Sequence, residues 1–288
     1  MPIRFDKRLS QVYCQDIAER QRLAAPNNKY NFKDYQLTAD DSLELISKVK
    51  KDAVGLYYNA LVSFIHGCRS VIVGCVSWAC VELYYSLFYA LRAELYFNGY
   101  ALIRDWGRLY LVKIANGERP MTKNNKKEYN TDHGGSLRYF IDIYGTSDYL
   151  CSNMIDGMNV YLWMMDLRET TNYRHDCFNE PECFAELIPL VTKVKTIGIA
   201  DVLRGFKSDF GTFCFSDQYA WLCAPYRKLL EVAAKYKAGT EKLTSEQIEY
   251  LDSELRGLGM SEVEVKELTG ELKEETDEES EDDMEFII

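Results

Sequence analysis

The sequence lacks the short motifs by which many enzymes hold phosphates, metals or a nucleophile. It contains neither GxGxxG nor GxxxxGK(S/T), and therefore no standard phosphate-binding loop. HExxH and GxSxG are absent as well. Histidine is scarce, and the 3 residues present, His66, His133 and His175, are too isolated to suggest a metal site. We therefore predict that the protein uses no metal and no cofactor.

The cysteines and the N-terminus indicate a reducing compartment. The 9 cysteines are scattered through apolar stretches without a CxxC pair, so zinc-ligand spacing is absent. The N-terminal MPIRFDKRLS has no apolar segment typical of a secretory signal, and we expect a cytoplasmic protein. Residues 71–91 are nearly apolar enough to cross a membrane. Because Glu82 lies in the middle of this run, we predict a buried core helix and no membrane association.

Charge is distributed unevenly along the chain. The net charge is −11, from 34 Lys+Arg and 45 Asp+Glu. Residues 241–288 contain 18 acids and 4 bases, which leaves residues 1–240 with 27 acids and 30 bases. A mildly basic body thus carries an acidic end. The overall negative charge therefore does not exclude nucleic acid as a partner.

The acidic end closes with three apolar residues, Phe286, Ile287 and Ile288. Residues 274–285 hold nine acids and no base, which predicts a disordered tail over 274–288. Three interpretations stay open: a plain solvated end, a mimic of nucleic acid that covers a basic cleft, or a segment that docks on a partner protein. In the last case the acids steer the approach. The apolar tip favours the partner or regulatory role.

Most of the chain has the pattern of an all-α protein. We predict an irregular segment over 1–38, followed by a helix from about Thr38 to Ile65 that Gly67 ends. An apolar helix over 70–97 has almost no polar face, which predicts the central helix of a bundle.

The later segments predict a hairpin and further helices. Residues 100–132 change character, and a β-like run followed by the turn dipeptide Asn116-Gly117 predicts a short hairpin or an ordered loop. The further predicted helices are one after His133-Gly-Gly-Ser, one over 153–176, one over 216–237, and two short ones with capping boxes at Thr244…Gln247 and Ser261…Glu264. The predicted divisions are the irregular segment 1–38, a bundle 39–180 with an insertion at about 100–132, a helical extension 181–240, short helices over 241–273 and the tail.

One face of the helix predicted over 153–176 changes from apolar to polar. Steps of three and four residues place Met154, Met158, Tyr161, Met165, Arg168, Asn172 and His175 on one stripe. The apolar part is typical of packing against other helices. The polar end suits either the wall of a cleft or a helix that emerges into water.

Three segments, in this order, resemble HEPN (higher eukaryotes and prokaryotes nucleotide-binding) domains. VSWACVELYYSLFYALRAELYFNGY looks like the family's early helix, and DHGGSLRYF (132–140) resembles the segment that opens its third helix. LRETTNYRHDCF (167–178) resembles the R-x(4–6)-H signature of HEPN ribonucleases, with six residues between Arg168 and His175. The resemblance covers about residues 39–180. It implies an up-and-down HEPN-like helical bundle that commonly forms a homodimer.

The resemblance also implies an activity, which is cleavage of RNA without a metal in a cleft shared by two protomers. His175 is the candidate general base or acid, because an imidazole titrates near neutral pH. Arg168 is the candidate phosphate clamp, and Asn172 would orient the imidazole or a phosphate oxygen. The setting implied is microbial anti-phage defence or a toxin–antitoxin-like system. Glu169 departs from the small polar residue usual in the family, so the alternative is an inactive HEPN scaffold that binds a partner protein or RNA.

Further candidate residues surround this signature. Contacts with Arg168, His175 or the substrate are assigned to Glu82, His133, Tyr173 and Arg174. For Glu82 the alternative is a structural salt bridge, and for His133 it is capping or loop packing. Residues 104–127 contain seven bases and two acids, which predicts an RNA-binding stretch or an ordinary solvated hairpin. The candidate RNA contacts are Arg104, Trp106, Arg108, Lys113, Arg119 and Lys123.

Overall fold

A computed structural model describes residues 7–25, 30–123, 126–152, 154–174, 180 and 184–270. The structure is mostly helical, as predicted. Its helices are α1 (Leu9–Ala24), α2 (Ala39–Val73), α3 (Val76–Phe97), α4 (Asp132–Tyr144), α5 (Val160–Glu169), α6 (Ile188–Ile197), α7 (Ile199–Ser208), α8 (Phe210–Phe213), α9 (Ala220–Ala238), α10 (Ser245–Gly257) and α11 (Glu262–Thr269). The strands form two antiparallel hairpins, β1 (Tyr100–Asp105) with β2 (Arg108–Lys113) and β3 (Met154–Ile155) with β4 (Met158–Asn159). The predicted tail 274–288 lies outside the described residues.

The helices α2 and α3 form the centre of the fold. Helix α3 is buried on nearly every side, as its apolar sequence predicts, because α2, α4, α5 and α9 pack around it. The prediction that Gly67 ends the preceding helix is wrong. A Cβ atom at Gly67 would lie 2.6 Å from Cγ of Leu83, so this glycine allows close approach of α2 and α3. Helix α2 continues to Val73 and ends at Gly74, whose φ of 88° is left-handed.

The prediction of an irregular segment over 1–38 is wrong for residues 9–24, which form α1. The cap at the start of α1 comes from another helix. Asp52 on α2 accepts hydrogen bonds from the backbone N–H groups of Leu9 and Ser10, each at 2.9 Å. Local sequence does not reveal such a cap, because the acceptor is more than 40 residues away along the chain.

The hairpin predicted within 100–132 is present, but it turns at different residues. Its two-residue turn is Trp106-Gly107, whereas Asn116-Gly117 follows β2. The hairpin packs on α1, where the Gln11 side chain donates to the Arg104 carbonyl at 2.8 Å and accepts from the Arg104 N–H at 2.9 Å. Helix α1 therefore holds the strand that carries part of the basic segment.

Helix α4 begins earlier than the prediction placed it. The Thr131 hydroxyl accepts from the Gly134 N–H at 3.1 Å, and the helix starts at Asp132. His133 consequently lies in the first turn of α4 rather than before the helix. At this position His133 faces α3, against which α4 packs.

The helix predicted over 153–176 is wrong at its start. Residues 154–159 form the β3–β4 hairpin, and α5 begins behind the Asn159 cap. Met154 and Met158 are therefore not on the helical stripe. The polar end of the predicted stripe is helical, but its turn is wider than that of an α-helix, because Thr170–Arg174 form a π-helical turn. Such turns are frequent at functional sites.

The C-terminal helices complete the same core. Tyr226 on α9 stacks against Phe64 on α2 with ring centroids 5.7 Å apart, and Trp221 is fully buried. The Tyr57 hydroxyl donates to the Leu268 carbonyl at 2.7 Å. Both predicted capping boxes, at Thr244…Gln247 and Ser261…Glu264, are confirmed. None of the helices in the described ranges has the length and apolar character needed to cross a membrane.

A buried lysine ties α9 to the rest of the fold. Lys228 is fully buried, and its Nζ atom lies 2.8 Å from Glu94, 2.6 Å from Asp148 and 2.9 Å from Glu231. Burial alone lowers the pKa of Lys228, whereas the carboxylates around it raise it, and the balance lies above its ordinary value. The lysine therefore stays charged and joins α9 to α3 and to the loop before β3.

Candidate functional site around Arg168 and His133

Arg168 lies at the end of α5 among three tyrosines. Its Nη2 atom donates to the hydroxyls of Tyr85 at 3.2 Å and Tyr173 at 3.3 Å. The guanidinium carbon lies 4.9 Å from the ring centroid of Tyr173, 5.6 Å from that of Tyr85 and 5.7 Å from that of Tyr84. We call Arg168, His133, Tyr84, Tyr85 and Tyr173 the Arg168 cluster. Tyr173 is 65% exposed, so the cluster opens to solvent there.

His133 reaches the cluster from the first turn of α4. Its Nδ1 atom lies 2.9 Å from the Tyr84 hydroxyl, and its ring stacks on Phe88 with centroids 4.5 Å apart. Burial lowers the pKa of His133, and the positive charge of Arg168 lowers it further. The lowered pKa favours the neutral form of the imidazole. A neutral imidazole can accept a proton on one nitrogen while the other one donates.

The cluster adjoins further positive charge. Arg92 on α3 is only 7% exposed, and its guanidinium carbon lies 5.4 Å from the Phe88 ring centroid. Burial lowers the pKa of Arg8 at the start of α1, and Arg92 lowers it further. Within the described residues, the Nε atoms of Arg92 and Arg168 are buried and have no hydrogen-bond partner. Unused donors beside several positive charges favour binding of an anion such as a phosphate.

The residues of the predicted signature are only partly accounted for. Arg168 and Tyr173 are in contact, and Asn172 is half-buried in the same π-helical turn. His175 lies outside the described residues. Arg174 points elsewhere, because its guanidinium pairs with Asp166 at 2.8 Å and Glu169 at 3.4 Å.

Among the described residues Glu82 neither contacts Arg168 nor forms a salt bridge, and its proposed contact with His175 lies outside them. Its carboxylate accepts a hydrogen bond from the Ser70 hydroxyl at 2.6 Å, which joins the ends of α2 and α3. It does not contact Arg168, whose hydrogen bonds go to Tyr85 and Tyr173. In the described part of the chain it forms no salt bridge either. The predicted loop-packing role for His133 is also wrong, since this residue packs on Phe88 from within α4.

The basic segment is less free to bind RNA than its composition predicts. Three of its six candidate contacts form ion pairs: Arg104 with Asp132, Lys113 with Glu118, and Lys123 with Asp142, each at 2.7 Å. Arg104 also donates to the carbonyls of Asn130 and Gly107, and so fixes the hairpin to α4. Trp106, Arg108 and Arg119 are exposed.

The sequence predictions missed the aromatic half of the cluster. The apolar sequence of α3 predicts only a core role for Tyr84, Tyr85 and Phe88. A signal was present in the sequence: four aromatic residues at 84, 85, 88 and 89 cover one side of a helix. Two of them, Tyr85 and Tyr89, are half-buried, which shows that this side of α3 reaches the surface.

One set of three carboxylates could hold a cation. Glu94, Asp148 and Glu231 bring their oxygens within 4.8 Å of one another beside a cavity of about 630 Å³. The ammonium group of Lys228 already lies among them and supplies the positive charge. These residues therefore fit a structural ion-pair network better than a metal site.

The comparisons with known proteins identify no relative. No family model matches the chain, and no match was found among curated proteins or solved structures. The function therefore has to be argued from the Arg168 cluster itself.

Proposed function

We propose that the protein is a metal-independent endoribonuclease of the HEPN type, with its site at the Arg168 cluster. The observation that carries this proposal is the position of Arg168 beside His133. A fixed cation with unused donors lies next to an imidazole whose pKa is lowered. Binding a phosphate and accepting a proton are the two functions that RNA cleavage by its own 2′-hydroxyl requires.

In the proposed reaction, an imidazole removes the proton of the ribose 2′-hydroxyl, and the 2′-oxygen attacks the adjacent phosphorus. The bond from phosphorus to the 5′-oxygen breaks, and that oxygen takes a proton from a general acid. The products are a 2′,3′-cyclic phosphate and a 5′-hydroxyl, and no redox step is involved. His133 supplies the base when its Nδ1 donates to Tyr84, because its Nε2 then has a free lone pair. We assign the acid to His175 on the spacing of the sequence signature alone.

Arg168 stabilises the charge that develops on the phosphate oxygens. A guanidinium has five N–H donors in a plane, and the hydrogen bonds of Arg168 to the described residues run from Nη2 to Tyr85 and Tyr173. Their hydroxyls fix the plane of the guanidinium, so the remaining donors are oriented before RNA binds. Preorganised donors of this kind contribute more than flexible ones, because they need no reorganisation during the reaction.

We further propose that the active form is a homodimer, as the resemblance to HEPN domains implies, and that it acts in the cytoplasm in anti-phage defence or a toxin–antitoxin-like system. The exposed side chain of Tyr173 supports a site that a second protomer completes. Analytical ultracentrifugation tests this part, and a monomer that cleaves RNA at full rate would contradict it.

A specific observation favours the alternative of an inactive scaffold that binds RNA or a partner protein. Three tyrosine rings surround the Arg168 guanidinium, and cation–π contacts of this kind also stabilise purely structural arginines. Glu169, the residue that departs from the family pattern, pairs with Arg174 at 3.4 Å, and no carboxylate among the described residues pairs with Arg168. The ion pair between Glu169 and Arg174 instead favours activity, because it keeps the Glu169 carboxylate occupied away from the phosphate site.

The chemistry distinguishes the two candidates. Purified protein in EDTA should cleave single-stranded RNA and leave 2′,3′-cyclic phosphate ends. The same strand with 2′-O-methyl groups should stay intact, because it has no 2′-hydroxyl proton to lose. Intact natural RNA together with tight binding would establish the scaffold, and 3′-hydroxyl products would contradict the proposed reaction.

A further inference from the structure

The turn of the β1–β2 hairpin carries a tryptophan in an unfavourable conformation. Trp106 and Gly107 have φ values of 46° and 75°, so both central residues of the turn are left-handed. Turns of this kind favour Asn-Gly, and a bulky side chain is rare at the first position. The Trp106 side chain is also 79% exposed, so burial does not offset the strain. Residues held in strained backbone conformations cluster at binding and active sites.

Trp106 borders a cavity of about 240 Å³. Arg22 from α1 lines it, with its guanidinium carbon 4.6 Å from the centroid of the Trp106 ring. Arg22 also pairs with Asp105, whereas Arg108 adds a second positive charge to the lining. Two arginines against one aspartate leave the cavity positive. In the described part of the chain, the Tyr30 hydroxyl in this lining is buried and without a hydrogen-bond partner.

We propose that this cavity, the Trp106 pocket, binds one unpaired nucleotide of an RNA strand. The base stacks on the face of the Trp106 ring opposite Arg22, Arg108 pairs with a phosphate, and the Tyr30 hydroxyl bonds to the base or ribose. Stacking requires an unpaired nucleotide, since the faces of a base within a duplex are already occupied. The inference deepens the proposed function, on which its choice of RNA rests.

An ion pair joins the hairpin that carries the Trp106 pocket to the helix that carries His133 of the Arg168 cluster. Arg104, two residues before Trp106, pairs with Asp132 at 2.7 Å, and Asp132 directly precedes His133. The same hairpin therefore carries the pocket and contacts the helix turn that presents the imidazole. RNA held at Trp106 is thereby kept near the proposed cleavage site, and the pocket selects single-stranded segments.

Binding is best measured with a labelled 2′-O-methyl oligouridylate, which cannot be cleaved through its own 2′-hydroxyl. In fluorescence anisotropy, Trp106→Ala should weaken binding about tenfold, as loss of one stacked base does. Trp106→Asn should weaken it equally while the melting temperature stays equal or rises, because Asn-Gly suits the turn. The matched control is Trp78→Ala on α3, which removes another exposed tryptophan and should leave affinity unchanged.

Three results would overturn the inference: Trp106→Ala binding like wild type, a duplex of the same sequence binding as tightly as the single strand, or UMP competing as well as the oligonucleotide. The last would assign the pocket to a free nucleotide. Binding that depends on Trp106 without cleavage of natural RNA would support the pocket and disprove only the proposed nuclease activity.

Discussion

The Nη2 atom of Arg168 donates to the Tyr85 hydroxyl across 3.2 Å, and this contact connects the π-helical end of α5 with the middle of α3. The two residues are 83 positions apart in the sequence. Their contact places a cation beside His133, whose ring packs on the same side of α3. The proposed chemistry depends on this arrangement, because it needs a cation on the phosphate and an imidazole at the 2′-hydroxyl at the same time.

The charge of Arg168 should be measurable through His133. We expect NMR titration to give a pKa for His133 below the ordinary value of about 6.5. Arg168→Gln should raise this pKa, whereas Arg168→Lys should keep it low because the positive charge remains. An unchanged His133 pKa in Arg168→Gln would show that the two side chains do not interact.

The lowered pKa of His133 also makes the stability of the fold depend on pH. Because the pKa of His133 is lower in the folded than in the unfolded protein, the unfolded state binds the proton first as pH falls. Its contribution to stability is therefore present above about pH 6.5 and is lost as pH falls through the folded pKa. Chemical denaturation of wild type and His133→Gln should show this difference between neutral and acidic pH.

Much of the fold followed from the sequence, and the errors have a common physical cause. The apolar helix α3 and the capping boxes at Thr244 and Ser261 were predictable, because they depend on neighbours in the sequence. Helix α1 was missed because its cap, Asp52, comes from α2. The candidate site also combines a residue that its local sequence predicts with one that only the folded chain reveals. Arg168 was predicted from its motif, whereas Tyr85 was not, since only folding brings it to Arg168.

Two glycines on α2 should respond in opposite ways to the same substitution. Gly67→Ala should destabilise the fold by about 1–3 kcal/mol, because the new Cβ would lie 2.6 Å from Leu83 Cγ. Gly55→Ala should stabilise it by roughly 0.5–1 kcal/mol, since nothing lies within 4 Å and alanine favours the helix. Urea denaturation measures both values. Equal effects at the two positions would contradict the close packing of α2 on α3.

Loss of the buried lysine should be severe. Lys228→Met removes the counter-charge of Glu94 and Asp148, and we expect the free energy of unfolding to fall by about 3–5 kcal/mol. Lys235→Met is the matched control, because Lys235 lies 3.6 Å from Glu94 and its side chain is 36% exposed. That control should cost less than about 1 kcal/mol. Similar losses in the two variants would show that the burial of Lys228 does not determine its contribution to the free energy of unfolding.

Cleavage of single-stranded RNA in EDTA by wild type and Arg168→Gln is the most direct test of the proposed activity. We expect wild type to cut the strand and Arg168→Gln, which should still unfold cooperatively, to be slower by about 10²–10³-fold. Arg256→Gln, which removes an exposed arginine on α10, should cut at the wild-type rate. Cleavage by Arg168→Gln as fast as by wild type would contradict the assignment of the site.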